Sequence, residues 1–155
     1  MSQKFLINAL IVAVVSVIFS NLGGYWQYVG CLVAIGLTIF MYKNYADSVS
    51  DKKVLTIGHG IKFGVIAGFI VYLVSVGMVS MDTDSVRQRQ IDAIEQMRGL
   101  MGDDAADKAI EQNAQLTDGQ IIGQTAGFGL LSVVFFGIYG LIAGAIFKYD
   151  EEDAA

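Results

Sequence analysis

From Thr56 to Met81 the chain reads TIGHGIKFGVIAGFIVYLVSVGMVSM. After Lys62 no charge interrupts it until Asp82, and Gly60, Gly64 and Gly68 recur every fourth residue at its start. A hydrocarbon core of about 30 Å takes about 20 helical residues to cross. Inside it every backbone N–H and C=O must be paired, which a helix does within itself and an isolated strand does not. The run therefore predicts a membrane-spanning helix, and its glycines predict a face where another helix backbone comes close.

The rest of the 155 residues is arranged around this run in blocks. Hydrophobic residues make up 54% of the chain, and charges do not recur along them as they must on a soluble helix with one wet face. Most charges lie in Tyr42–Lys62, in Asp82–Asp118 and after Phe147. The expectation is one all-α membrane domain over residues 1–155, a polytopic protein with transmembrane helices at about 5–22, 26–42, 60–81 and 120–147. A small helical insert, 82–118, separates the third from the fourth.

The first apolar segment, Phe5–Leu22, follows Lys4. We read it as a retained span and not a signal peptide, because no clean small-x-small cleavage site follows it. Asn21-Leu22-Gly23-Gly24 predicts a tight turn. Tyr25, Trp26 and Tyr28 then place that turn at headgroup level, and Tyr42 and Tyr45 mark the opposite interface. The first two helices thus form an antiparallel hairpin. Lys4, Lys43, Lys52, Lys53, Lys62 and Lys148 gather on one side of the resulting topology, which the positive-inside bias makes cytoplasmic, with both termini there. In the insert, Val86, Ala93, Ile94, Met97, Leu100 and Met101 share one side of a helical wheel, predicting an amphipathic helix ended by Gly102. Asp103 is placed to cap a second helix through about Gln112. The stripe Val86, Ile94, Met97 and Met101 is a candidate partner contact. Thr117-Asp118-Gly119-Gln120 has the spacing of a capping box and starts the fourth span.

Glycines also recur at Gly119, Gly123 and Gly127, and Ala67-Gly68-Phe69 is echoed by Ala126-Gly127-Phe128. Helices three and four run in opposite directions, so these two N-terminal stripes sit at opposite depths. The partners expected for Gly60 and Gly64 are Gly140 and Gly144, while Gly123 and Gly127 are expected to meet Ser75, Gly77 or Ser80. Gly60, Gly64, Gly68, Gly123, Gly127, Gly140 and Gly144 are therefore the candidate helix-packing residues, a glycine zipper.

At Leu55–Gly64, LTIGHGIKFG, and at Gly140–Lys148, GLIAGAIFK, the chain resembles a family of small four-helix membrane proteins of Bacteroidota that carry a domain of unknown function. That family shows a short polar and glycine lead-in, then a Lys and a Gly, before its third helix. Gly58, Lys62 and Gly64 match it, while His59 stands where the family commonly has an acid. The resemblance implies the same helix order and a helical extracytoplasmic insert, and brings no activity with it.

Several chemistries find no residues to carry them. The net charge of −5 argues against nucleic-acid binding, which rests on Lys and Arg neutralising phosphates. Cys31 is the one cysteine, so no internal disulfide forms. His59 with Lys62 has the composition of a proton or anion site, but both fall at an interface and not at midplane. Asp103, Asp104, Asp107 and Glu111 are read as solvated acids near a helix start; calcium wants six to eight oxygens from a shaped loop. No catalytic, cofactor-binding or metal-ligating residues are expected, and no enzyme. The sequence points to a multi-pass protein of the bacterial inner membrane, a non-catalytic structural or accessory component that contacts lipid and another membrane protein or itself. The alternative is a small homo-oligomeric channel or transporter, with Gln124, Thr125 and Ser132 lining its path.

Overall fold

The computed structural model describes residues 2–21 and 25–148. The turn expected at Leu22-Gly23-Gly24 and the acidic tail beyond Lys148 lie outside the described residues, as do the side chains of Tyr25, Trp26 and Tyr28. Among the described residues there are seven α-helices and no strand: α1 Gln3–Asn21, α2 Tyr25–Asp47, α3 Ile57–Met81, α4 Thr83–Gln96, α5 Arg98–Met101, α6 Asp103–Ala114 and α7 Asp118–Ile146. A short 3-10 turn, Lys52–Val54, stands between α2 and α3.

Three helices are long and apolar enough to cross a membrane: Val29–Asp47 within α2, then α3, then α7. α1 is apolar over a shorter length, Gln3–Phe19. The helix ends follow local chemistry. α2 runs past Tyr42, where a loop was expected to begin at Lys43, because Lys43 and Asp47 form an ion pair one turn apart and Tyr45 and Ala46 are buried. α3 begins at Ile57, before Gly60, because the Thr56 hydroxyl accepts the N–H of His59. The capping box at α7 is formed in both directions: Gln120 N–H donates to Thr117 Oγ1, and Thr117 N–H donates to the Gln120 side chain at 2.9 Å.

The chain divides into two compact units: Met1–Val74 with Gly129–Ala155, and Ser75–Phe128. In the first, α1 packs on α2 through small residues. Ala9, Val12, Ala13 and Ser16 on α1 and Ala34 and Thr38 on α2 are all buried. Recurrence at three and four residues makes these positions single faces, and their small side chains let the two helices approach. The other face of α1 is equally apolar and exposed, with Leu6, Leu10, Val14 and Ile18 all more than 40% accessible. A helix apolar on every side belongs in a protein core or in lipid.

The second unit is built differently. Asp82 caps α4, accepting the Ser85 N–H at 3.0 Å, and α4 packs on α6 with Ala106 fully buried. The amphipathic helix expected to run unbroken from Val86 to Met101 breaks at Met97, and Arg98–Met101 forms a separate turn of helix. Gly102, at φ 86°, ends it, a backbone conformation that suits glycine. Gly102 itself, and not Asp103, is the N-cap residue of α6, with no side-chain cap bond.

Candidate functional site

Gly60, Gly64 and Gly68 lie on one face of α3 because they are four residues apart, and each meets backbone of α7. A Cβ at Gly60 would collide with the Gly140 carbonyl oxygen and stand 2.5 Å from the Gly144 Cα. At Gly64 it would collide with the Phe136 carbonyl, and at Gly68 it would stand 2.8 Å from the Val133 Cα. The contact is reciprocal: a Cβ at Gly140 would meet the Gly60 carbonyl oxygen, and one at Gly144 would lie 2.9 Å from that of Ile57. Only glycine fits this seam. Farther along, Gly129 faces the ring of Tyr72, and the Ser132 hydroxyl lies against the carbonyls of Gly129 and, at 3.4 Å, Gly68.

Gly123 and Gly127 do not act in this way. Both lie in the second unit, and no heavy atom stands within 4 Å of the position a Cβ would take at either, nor at Gly77 or Gly119. The expected contact of Gly123 and Gly127 with Ser75, Gly77 or Ser80 is therefore corrected. The reason is helical phase. At 3.6 residues per turn, Gly127 lies about 160° and Gly123 about 120° around the helix from Gly129, which does face α3.

A second constellation, at the end of the first unit where α3 starts, joins residues from three helices. The Phe5 ring of α1 stands edge-on to Tyr45 at 5.0 Å, to Phe63 at 5.2 Å and to His59 at 5.3 Å between ring centres. Edge-to-face contacts align the positive rim of one ring with the negative face of another. Tyr42 packs against Phe63 at 5.6 Å, and Tyr45 Oη and His59 Nε2 share a 3.0 Å hydrogen bond. Asn8 ties α1 to α2 by donating from Nδ2 to the Met41 carbonyl at 2.9 Å. Tyr42 and Tyr45, expected to mark an interface, and His59, expected beside Lys62, thus form one cluster with Phe5 and Phe63. The signal was present in the spacing: Tyr42 and Tyr45 are three apart and His59 and Phe63 four apart, so each pair shares a helix face.

Tyr42 is fully buried, yet its hydroxyl has no hydrogen-bond partner among the described residues. His59 and Lys62 are brought to one groove, of about 390 Å³, with Phe5, Ile61, Val65 and Ile66. A smaller cavity of about 200 Å³ is lined by Ser16, Cys31, Ser132 and Tyr139 among apolar neighbours.

In the second unit the acids of the insert face an arginine. Arg98 holds Glu95 through two bonds, at 2.7 and 2.8 Å, and reaches Asp107 at 2.8 Å and Asp103 at 3.6 Å. These bonds hold the Glu95 carboxyl below the usual range and push the Arg98 guanidinium higher still. Hydrogen bonds from Ser85 likewise lower Asp82. Arg87 joins Asp84 to Asp118 and donates to the Leu116 carbonyl at 3.1 Å. Of the candidate partner contacts, Val86 and Ile94 are partly covered, while Met97 and Met101 remain 46% and 43% exposed. Among the described residues no group of three or more His, Cys, Asp and Glu side chains converges as a metal site would require.

Comparison with protein-family models, with curated proteins and with solved structures finds no match to this chain. The chain's own residues make an all-helical protein with three helices long and apolar enough to cross a membrane, a glycine seam and an aromatic cluster.

Proposed function

We propose that the protein is a non-catalytic structural or accessory component of the bacterial inner membrane, with four spans, both termini in the cytoplasm and the insert 82–118 outside it. In this proposal α1 is the fourth span, and the likeness of Leu55–Gly64 to the Bacteroidota family is one of kinship. One observation supports it: four polar side chains on the apolar helices donate to the protein's own backbone. Ser16 donates to the Val12 carbonyl, Thr38 to Ala34, Asn8 to Met41 and Ser132 to Gly129. Donors taken up by backbone in this way are not offered to a solute.

What remains unpaired is apolar surface on the insert, at Met97, Leu100 and Met101. A partner with a complementary apolar face is its occupant in this proposal. Purification in mild detergent is expected to recover a complex of defined stoichiometry, lost when Met97→Asp and Met101→Asp are combined. Recovery of the wild-type chain alone, in several mild detergents, contradicts it. The channel or transporter alternative draws on the cavity lined by Ser16, Cys31, Ser132 and Tyr139. Solute flux into liposomes by the pure protein, abolished by Ser132→Phe, would establish that alternative.

A further inference from the structure

The groove between Phe5 of α1 and the first turns of α3 combines two features. Its walls are apolar, made by Phe5, Ile61, Val65 and Ile66, and Lys62 stands in it, exposed. Lys62 has no carboxylate partner among the described residues. The first 74 residues hold two acids, Asp47 and Asp51, against Lys4, Lys43, Lys52, Lys53 and Lys62. Asp47 is taken by Lys43, and Asp51 accepts the backbone N–H of Lys53. The groove therefore joins an exposed ammonium group to an apolar trough about 390 Å³ in volume.

We propose that this groove is a binding site for an anionic phospholipid. One acyl chain lies over Ile61, Val65 and Ile66, and the phosphate sits at Lys62. An ammonium group beside an apolar surface at the end of a membrane helix matches an anionic phospholipid, which joins a fixed negative charge to a hydrocarbon chain and is the amphiphile a bilayer supplies in bulk. His59 is oriented by its bond to Tyr45 and lines the same groove, a second polar group for the lipid's glycerol or headgroup. The aromatic cluster is then the rigid floor of the site: Phe5 is held edge-on by three rings and cannot swing out to close it. This inference rests on the proposed placement of α1 and α3 as spans.

The test is native mass spectrometry of the delipidated full chain in mild detergent. Phosphatidylglycerol and phosphatidylcholine of matched chains compete, and soluble glycerol 3-phosphate is the headgroup control. The expected result is retention of phosphatidylglycerol over phosphatidylcholine by about fivefold, or about 1 kcal/mol, the effect of one lysine on an anionic lipid. Lys62→Gln abolishes the preference. Lys43→Gln, which removes a lysine already paired with Asp47, leaves it in place. Lys62 is exposed, so the variant is expected to fold, and its circular dichroism and thermal midpoint verify that. Equal retention of both lipids by the wild type, an unchanged preference in Lys62→Gln, or competition by glycerol 3-phosphate at the lipid's own concentration would overturn the site. None of these outcomes bears on the span count, which cysteine labelling decides separately.

Discussion

Gly64 and Gly127 are both glycines within long apolar helices, yet they call for opposite outcomes on substitution. A Cβ at Gly64 falls on the Phe136 carbonyl, a backbone atom that cannot rotate away. Gly64→Ala is expected to destabilise by about 2 kcal/mol, the usual effect of forcing atoms into packed space. At Gly127 the same methyl meets nothing within 4 Å, so Gly127→Ala is expected to be neutral or to stabilise by up to about 1 kcal/mol through helix propensity. Unfolding in mixed detergent micelles measures both. Tyr42 makes a third case. Its hydroxyl is buried without a partner, and Tyr42→Phe removes the desolvation cost while keeping the ring contacts with Phe63 and Tyr45. The variant is expected to be at least as stable as the wild type, by about 1 kcal/mol, in the same assay. None of these distinctions is visible in composition: Ala67-Gly68-Phe69, just after Gly64, repeats the tripeptide Ala126-Gly127-Phe128 that holds Gly127.

Among the elements, α4, α5 and α6 depend most on electrostatics. Arg98 joins Glu95 to Asp107, so one side chain ties the end of α4 to α6. Arg98→Gln is expected to lower hydrogen-exchange protection across α6 while leaving α1 and α2 unchanged. Acid should act in the same direction. Glu95 and Asp82 both have their pKa lowered in the folded chain, by bonds from Arg98 and Ser85 respectively. Their contribution is therefore full above the ordinary carboxylate range of about 4 and is lost as the pH falls through their lowered values. Protection factors in α4 and α6, corrected for intrinsic exchange, should fall between pH 6 and pH 3. Unchanged factors would show that packing alone holds the insert. The sequence displayed the stripe Val86, Ile94 and Met97 but not the break at Met97, because a single amphipathic period fits either one helix or two.

For the molecule as a whole, the proposed topology makes a labelling pattern that other arrangements do not. In a Cys31→Ser background, cysteines placed singly at Ser2 and at Ser50 are expected to react with an impermeant maleimide only after the cells are opened, and one at Gly99 in intact cells or spheroplasts. Reaction at Ser2 and Ser50 on opposite sides, or at Ser50 and Gly99 on the same side, would refute four spans with the termini inside. The all-helical architecture and the apolar runs of α2, α3 and α7 were legible in the chain, because helix period and the length needed to cross hydrocarbon are local properties. The start of α7 was legible too, since a capping box is completed within four residues. Antiparallel direction alone named Gly140 and Gly144 as the partners of Gly60 and Gly64, and those are the backbones in contact. Direction did not reveal that Gly123 and Gly127 point elsewhere. Helical phase accumulates over many residues, and which face of α7 meets α3 depends on how both helices pack, not on any local motif. The same is true of the aromatic cluster, whose rings come from residues 5, 42, 45, 59 and 63. Short-range pattern determines that these segments are helices and that they belong in a membrane. Long-range packing determines which of the repeated glycines of Thr56–Met81 and Asp118–Ile146 become a seam, because only the folded chain brings two backbones to the same place.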